Sequence, residues 1–236
     1  MKAAASKPAQ RVLILNDAQE ADGEMLKTIG SLLSPGSQVV TVGEDSPGTT
    51  SWRVRYKHVY GSSLSLNTVK KTRVDLTDTV LVRPNEDVSY QERDGRILAK
   101  TRLVLLARQE AKTVKPLRIV AQVQESETAE KLQHLIDTLC KDKSVTLETI
   151  DAAKLSAGAI VQVLWSPELK SVYMDLMDSD GSEISLLKAS FFGPPGEKRS
   201  FADITELGLK NNAVPLGILR ANGELVLRSA RACNLA

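Results

Sequence analysis

Arg11–Asn16 (RVLILN), Gly23–Leu33 (GEMLKTIGSLL) and Gln38–Gly43 (QVVTVG) are the stretches whose reading decides the fold. The first is a short apolar run of the kind buried on both faces of a parallel sheet, the second has helical spacing of apolar residues, and the third is again a strand. Glu44 stands directly behind it. Strand, helix and strand of these lengths make a βαβ unit in the order of a dinucleotide-binding domain. In a working domain of that kind the turn after the first strand carries G-x-G-x-x-G, because a pyrophosphate must approach backbone N–H groups with no Cβ in the way. Here the turn is Asn16-Asp17-Ala18-Gln19-Glu20-Ala21-Asp22-Gly23. Its single glycine is at the end, and Asp17, Glu20 and Asp22 repel phosphate. A scaffold kept without its cofactor loop points to regulation or assembly more than to hydride transfer.

Working outward, the chain alternates strands and helices. Arg53–Tyr60 (RVRYKHVY) alternates apolar and basic residues as a half-exposed strand does, Leu66–Lys71 is a short helix, and Thr79–Arg83 (TVLVR) is a buried strand stopped by Pro84. Asp94–Gln109 places Ile97, Leu98, Thr101, Val104, Leu105 and Arg108 at helical spacing, with Arg93, Arg96 and Arg102 outside. Leu117–Gln124 reads as a strand and Ser126–Leu139 as a helix. The expected class is therefore α/β: a Rossmann-like, mostly parallel sheet with helices on both faces. Beyond it, Leu147–Ile150 reads as a short strand, Asp151–Trp165 and Leu169–Met177 as a helix pair, Glu183–Ser190 as a strand, and Ser200–Lys210 as a helix. Val214–Arg220 and Glu224–Arg228 form a hairpin on the Asn222-Gly223 turn signal. The division that follows is a leader over 1–10, a Rossmann-like lobe over 11–146, and a helix pair with a small α+β lobe over 147–236. The two helices are too apolar for one small domain, so their surface is expected to be buried by another subunit.

Composition removes several classes. Thirty-one basic residues face 29 acidic ones, for a net charge of +2, and no stretch interleaves basic and aromatic residues as a nucleic-acid groove does. Met1–Gln10 has no apolar core of a signal peptide, and no long apolar run follows, so no direct membrane insertion is expected. Cys140 and Cys233 lie far apart with no ligand-type neighbour, as reduced thiols do rather than a zinc pair. His58 and His134 read as ordinary histidines. There is no nucleophile elbow, Ser-His-Asp order or Walker loop, so no catalytic residue is assigned and the chain is not read as an enzyme.

Two acidic groups remain. Asp178, Asp180 and Glu183 (DSDGSE) gather carboxylates in a tight turn, and Asp17, Glu20 and Asp22 gather them at a helix start; either set offers oxygen ligands to a hard cation such as calcium. Turn preference explains the first without a ligand, and helix capping the second. Glu44 stands where a dinucleotide domain holds its ribose-binding acid, and Glu86, Asp87 and Arg93 at the carboxyl edge of the sheet, where open α/β folds place ligands.

Three stretches carry a resemblance to a known family. They are Val12–Val42, with its acidic, glycine-poor turn and its Leu33-Ser34-Pro35-Gly36-Ser37 run; Asp78–Arg108 (DTVLVRPNEDVSYQERDGRILAKTRLVLLAR); and Ser200–Arg220 (SFADITELGLKNNAVPLGILR). Together they resemble regulator of potassium conductance domains (RCK, TrkA-N-like), and within these the second, carboxy-terminal domain of the Castor/Pollux family of ion channels. The run Ser229–Ala236 departs from the family's last strand. The resemblance implies a cytosolic regulatory domain that pairs through a helix crossover, assembles as a homo-oligomer of at least a dimer into a gating ring, and works under a pore-forming membrane part of the same protein. It also implies calcium responsiveness and a place on the cytosolic side of a plasma membrane or nuclear envelope. The alternative from another class is a degenerate NAD(P)-dependent oxidoreductase or nucleotide-binding enzyme.

The turn at Asn16–Gly23 makes the first test. Titration calorimetry with NAD at millimolar concentration should show no saturable heat, and a micromolar Kd overturns the reading of the turn.

Overall fold

The computed structural model describes residues 8–16, 23–46, 48, 51–84, 88–177, 184, 186–194, 199–220 and 222–227. The chain divides into two compact units, Met1–Ser182 and Glu183–Ala236.

The first unit is a six-stranded, wholly parallel sheet with helices around it. Its strands are β1 (Arg11–Leu15), β2 (Gln38–Gly43), β3 (Arg55–Tyr60), β4 (Thr79–Val82), β5 (Leu117–Val123) and β6 (Val145–Asp151). Their order is β3-β2-β1-β4-β5-β6, the Rossmann order, with the reversal of direction between β1 and β4. Helices α1 (Gly23–Leu32), α2 (Leu66–Lys71), α3 (Tyr90–Glu110) and α4 (Ser126–Leu139) connect them. The expected α/β class and every expected element of this half are present. Leu147–Ile150, read from the sequence as the opening of the second part, lies within β6, which pairs with β5 from Leu117↔Val145 to Val123↔Asp151. The sheet thus runs past residue 146 before α5 (Ala152–Trp165) and α6 (Leu169–Met177) follow.

Crossovers between parallel strands are right-handed, so the two halves of the sheet, which grow in opposite directions from β1 and β4, put their helices on opposite faces. One face carries α2, α3 and α4 over a core that runs through every strand, from Val59 and Val42 through Leu13, Leu15, Val80 and Val82 to Ile119, Ala121 and Val145. The other carries α1 over Val12, Ile14, Leu26, Val39 and Val54, with Tyr56 and Leu81 packed at its margin. Among the described residues the first core holds twenty buried side chains and the second five.

Local signals explain the helix ends. α3 starts at Tyr90, a turn earlier than the apolar periodicity suggests, because Ser89 accepts from Glu92 N at 3.4 Å and caps it. The signal was in the sequence as Ser89-x-x-Glu92. α1 lies close on β3 because Gly30 has no side chain: Tyr56 Oη occupies that space and donates to Leu26 O at 2.8 Å. Burial pushes the Tyr56 phenol above its ordinary pKa, so it stays a donor.

The second unit contains α7 (Phe201–Leu209), with a reciprocal Ser200–Asp203 capping box, and the antiparallel pair β7 (Gly217–Leu219) and β8 (Leu225–Leu227). Gly223, at φ 86°, supplies the left-handed turn residue expected of Asn222-Gly223. The strand expected over Glu183–Ser190 does not form among the described residues: Ala189–Phe191 is a 3-10 turn. A strand needs a ladder partner, and the unit's described ladder is the β7–β8 pair.

Gly30→Ala should lower stability by about 1–3 kcal/mol through overpacking against Tyr56. Removing the obstructing oxygen in Gly30→Ala/Tyr56→Phe should restore part of that loss in urea titrations. Equal or greater loss in the double variant counts against the packing account.

Candidate functional site

The strand order reverses between β1 and β4, and open α/β folds receive ligands in the crevice outside the carboxyl edge at such a point. Asn16 follows β1 there, Arg83 and Pro84 follow β4, and Met25 stands in the first turn of α1. Lys100 of α3 is fully buried, and its Nζ donates to Arg83 O at 2.9 Å. The Arg83 guanidinium approaches Met25 Sδ at 3.4 Å, and Arg93 Nε donates to Val88 O at 3.2 Å. Seven residues separate Arg93 from Lys100, two helical turns, so both stand on one face of α3.

Asp94, on the same helix, is buried and accepts from Gln124 N at 3.0 Å and Glu125 N at 3.1 Å. It holds the two residues that lead into α4, whose N-cap residue Glu125 makes no side-chain capping bond. One carboxylate thus ties α3 to the β5–α4 junction at the rim of the crevice. On the far side, His58 stands with Nε2 3.1 Å from Gly43 O and Nδ1 2.9 Å from Thr41 Oγ1. A carbonyl only accepts, so Nε2 carries the proton in the neutral ring and the hydroxyl donates to Nδ1. His58 is committed to holding β2 to β3. Glu44, beside it, is exposed.

The carboxylates proposed as cation ligands, Asp17, Glu20, Asp22, Asp178, Asp180 and Glu183, lie outside the described residues, as do Glu86, Asp87 and Cys233. Among the described residues no group of three or more His, Cys, Asp or Glu side chains could hold a metal ion. Among them, too, no helix is long and apolar enough to cross a membrane. Cys140 is half-buried, and burial is the main cause that raises its thiol pKa, which disfavours a thiolate ligand or nucleophile. Periodicity placed Arg108 on the inner face of α3, and it is there, 2% exposed, donating to Lys115 O and to Ser144 Oγ at 2.9 Å. Desolvation lowers its pKa, and the site is a clamp between the α3–β5 and α4–β6 connections. Sequence reading passed over Lys100 and Asp94, because spacing marks a residue as inward-facing without telling what a polar one there will meet.

At the opposite, amino-terminal edge is a groove of about 690 Å³ between the end of α1 and the first residues of β4, β5 and β6, lined among others by Leu32, Leu33, Thr79, Pro116, Arg118 and Thr146.

No family model matches the chain. In fold it is similar to the human SLO3 gating ring, with a TM-score of 0.54 and 14% sequence identity over 92% of this chain and 41% of that one. The chain thus spans less than half the length of that structure. Partial superpositions extend to a short-chain dehydrogenase/reductase from Sinorhizobium meliloti 1021, at a TM-score of 0.37 and 11% identity over 61% of this chain and 79% of that one. They extend also to the cytoplasmic domain of a prokaryotic cation chloride cotransporter, at a TM-score of 0.25 and 9% identity over the same shares.

Asp94→Asn leaves the N–H of Gln124 or of Glu125 facing an amide N–H, so it should cost about 1–3 kcal/mol in chemical denaturation. The control, Glu92→Gln, removes an exposed Arg96 ion pair at 2.8 Å and should cost about 0–1 kcal/mol. Equal effects of the two would remove the Asp94 bonds from the account.

Proposed function

We propose that this chain is a regulatory and assembly domain of the gating-ring type, belonging to a cation channel or transporter and sensing a ligand or ion. The observation that carries the reading is the helix pair after the sheet. None of the residues of α5 is buried, and Leu155, Ile160, Val161, Leu164 and Trp165 are all more than half exposed. Its inner side is spent on α6, where Tyr173 Oη bonds Gln162 Oε1. A helix this apolar with no buried residue is half of an interface. The fold it shares with the human SLO3 gating ring supports the same reading, as does a first turn whose sequence has lost its phosphate-binding glycines.

In this reading the chain pairs with a second copy, the pore lies on a membrane part of the same protein, and the work is conformational rather than catalytic. Calcium is the proposed effector, through Asp17, Glu20 and Asp22 or through Asp178, Asp180 and Glu183, since clustered carboxylates repel one another when empty and are relieved by a hard cation. The Castor/Pollux channels are the proposed relatives. An oxidoreductase requires pyrophosphate binding, which the sequence of the turn opposes.

Sedimentation at micromolar concentration should show at least a dimer, weakened by Val172→Asp on the exposed side of α6; a stable monomer rejects the assembly role. Millimolar calcium should raise the melting temperature, and either Asp17→Asn/Asp22→Asn or Asp178→Asn/Asp180→Asn should abolish the rise. Absence of any rise in the unmodified chain rejects calcium as effector.

A further inference from the structure

Edge strand β3 carries its basic side chains in a row. Successive residues of a strand point to opposite faces, so Arg53, Arg55 and Lys57 share the side of Val59, which enters the large core. Tyr56, His58 and Tyr60 share the other, where Tyr56 packs under α1. The alternation parts the cations from the rings, and neither surface interleaves them as a nucleic-acid groove does. Arg55 and Lys57 are exposed, and among the described residues none of the three cations has an ion-pair partner.

The backbone alternates as well. Arg53 O accepts from Gly36 N at 2.9 Å, Arg55 N donates to Ser37 O at 2.9 Å, and Gly61 N donates to Gly43 O at 3.0 Å. Residues 53, 55, 57, 59 and 61 thus turn their peptide groups to β2, and Tyr56, His58 and Tyr60 turn theirs outward, where no described strand meets them. Charges by themselves keep such an edge unpaired. This edge has more. Trp52, just before it, is 91% exposed with the Arg53 guanidinium 5.8 Å from its ring centre, and Tyr60, at its end, is 67% exposed and set edge-on to His58, ring centres 4.6 Å apart. Trp, Tyr and Arg carry much of the binding energy at interfaces, and an edge built only to repel has no use for exposed rings.

We propose that β3 receives an extended acidic segment of a partner protein as a seventh strand of the sheet, with carboxylates at alternate positions against Arg53, Arg55 and Lys57 and its ends reaching Trp52 and Tyr60. Strand addition supplies main-chain bonds, and the alternate side chains select the partner. A second copy of this chain does not fit. β3 against β3 sets three cations against three. The opposite edge strand, β6, presents on one face Thr146, Glu148 and Ile150, with Glu148 already 3.7 Å from Arg118. On its other face the one acid is Asp151, which is the N-cap of α5. The surface is at the edge of the sheet away from β6 and stands apart from the pairing of copies.

The test uses the full chain and a labelled peptide of alternating Glu and Thr, long enough to pass both Trp52 and Tyr60. It should bind saturably by fluorescence anisotropy. Hydrogen exchange should slow at the amides of Tyr56, His58 and Tyr60, while those of Arg55, Lys57 and Val59, already bonded to β2, change little. Arg55→Glu/Lys57→Glu should weaken binding by about tenfold or more and take up instead a peptide of alternating Lys and Thr, which excludes unfolding as the cause. The Glu-Thr peptide N-methylated along its backbone keeps its charges, loses its main-chain donors, and should not bind. Equal binding of the methylated peptide, or binding without slowing at the alternate amides, leaves charge attraction alone and overturns the proposal. So does absence of binding. Slow Tyr56 and His58 amides in the chain alone mean that this chain or its copy fills the edge, which overturns it too. An oligonucleotide or phosphatidylserine vesicles that slow those amides where the peptide does not would give the surface to another class of partner, with the same consequence.

Discussion

The structure depends on β1 being buried on both faces at the point where the sheet reverses its growth. Leu13 and Leu15 enter the large core and Val12 and Ile14 the small one, so the strand is apolar throughout and cannot be an edge. It pairs with β2 on one side and β4 on the other, in parallel. Once that centre is set, the handedness of crossovers dictates which face receives each helix, and the imbalance between the two cores follows. The reversal of strand order at β1 and β4 also fixes which point of the carboxyl edge is the one where open α/β folds receive ligands.

Polar groups buried against the sheet bond backbone more than one another. Lys100 gives a proton to a strand-end carbonyl, Asp94 takes two from a helix start, and Arg108 spans two connections at the far edge. Each joins pieces distant in sequence, and each is costly to lose, since a buried charge or N–H left alone forfeits its hydration without return. Surface pairs such as Lys131–Glu127 and Lys210–Glu206, within one helix each, contribute little beside them. Lys100 and Asp94 tie α3 to the chain beyond β4 and β5 at the carboxyl edge, and Arg108 does the same at the amino-terminal one.

The fold was legible because its signals are local and periodic: the run RVLIL is apolar at every position, and α4 begins and ends where its pattern does. The start of α3 was missed by four residues because a cap, not a periodicity, sets it. Residues 183–190 have a strand-like composition but find no ladder among the described residues, and pairing is a tertiary fact that composition does not hold. The site was less legible. Lys100 looks on paper like a surface lysine in an arginine-rich helix, and only the packing of α3 on β4 shows that it is buried. The acidic turns were visible as chemistry, yet a cluster of carboxylates reads alike whether it caps a helix or holds an ion.

The junction at Asp151 gives the helix pair its mechanical meaning. A strand that becomes a helix without a linker has its helix direction set by the sheet, because no free dihedrals stand between them to absorb a tilt. β6 is bonded along its whole length to β5, and β5 to β4, whose end forms a wall of the crevice. In the proposed regulatory reading, a ligand that favours one arrangement of that wall over another reaches the angle of α5 through this ladder of backbone bonds, and the free energy available is the ligand's difference in affinity for the two arrangements. A flexible connection would dissipate that difference in loop motion. In the proposed regulatory reading, rigidity at this one residue is what passes occupancy at the sheet edge on to the helix pair.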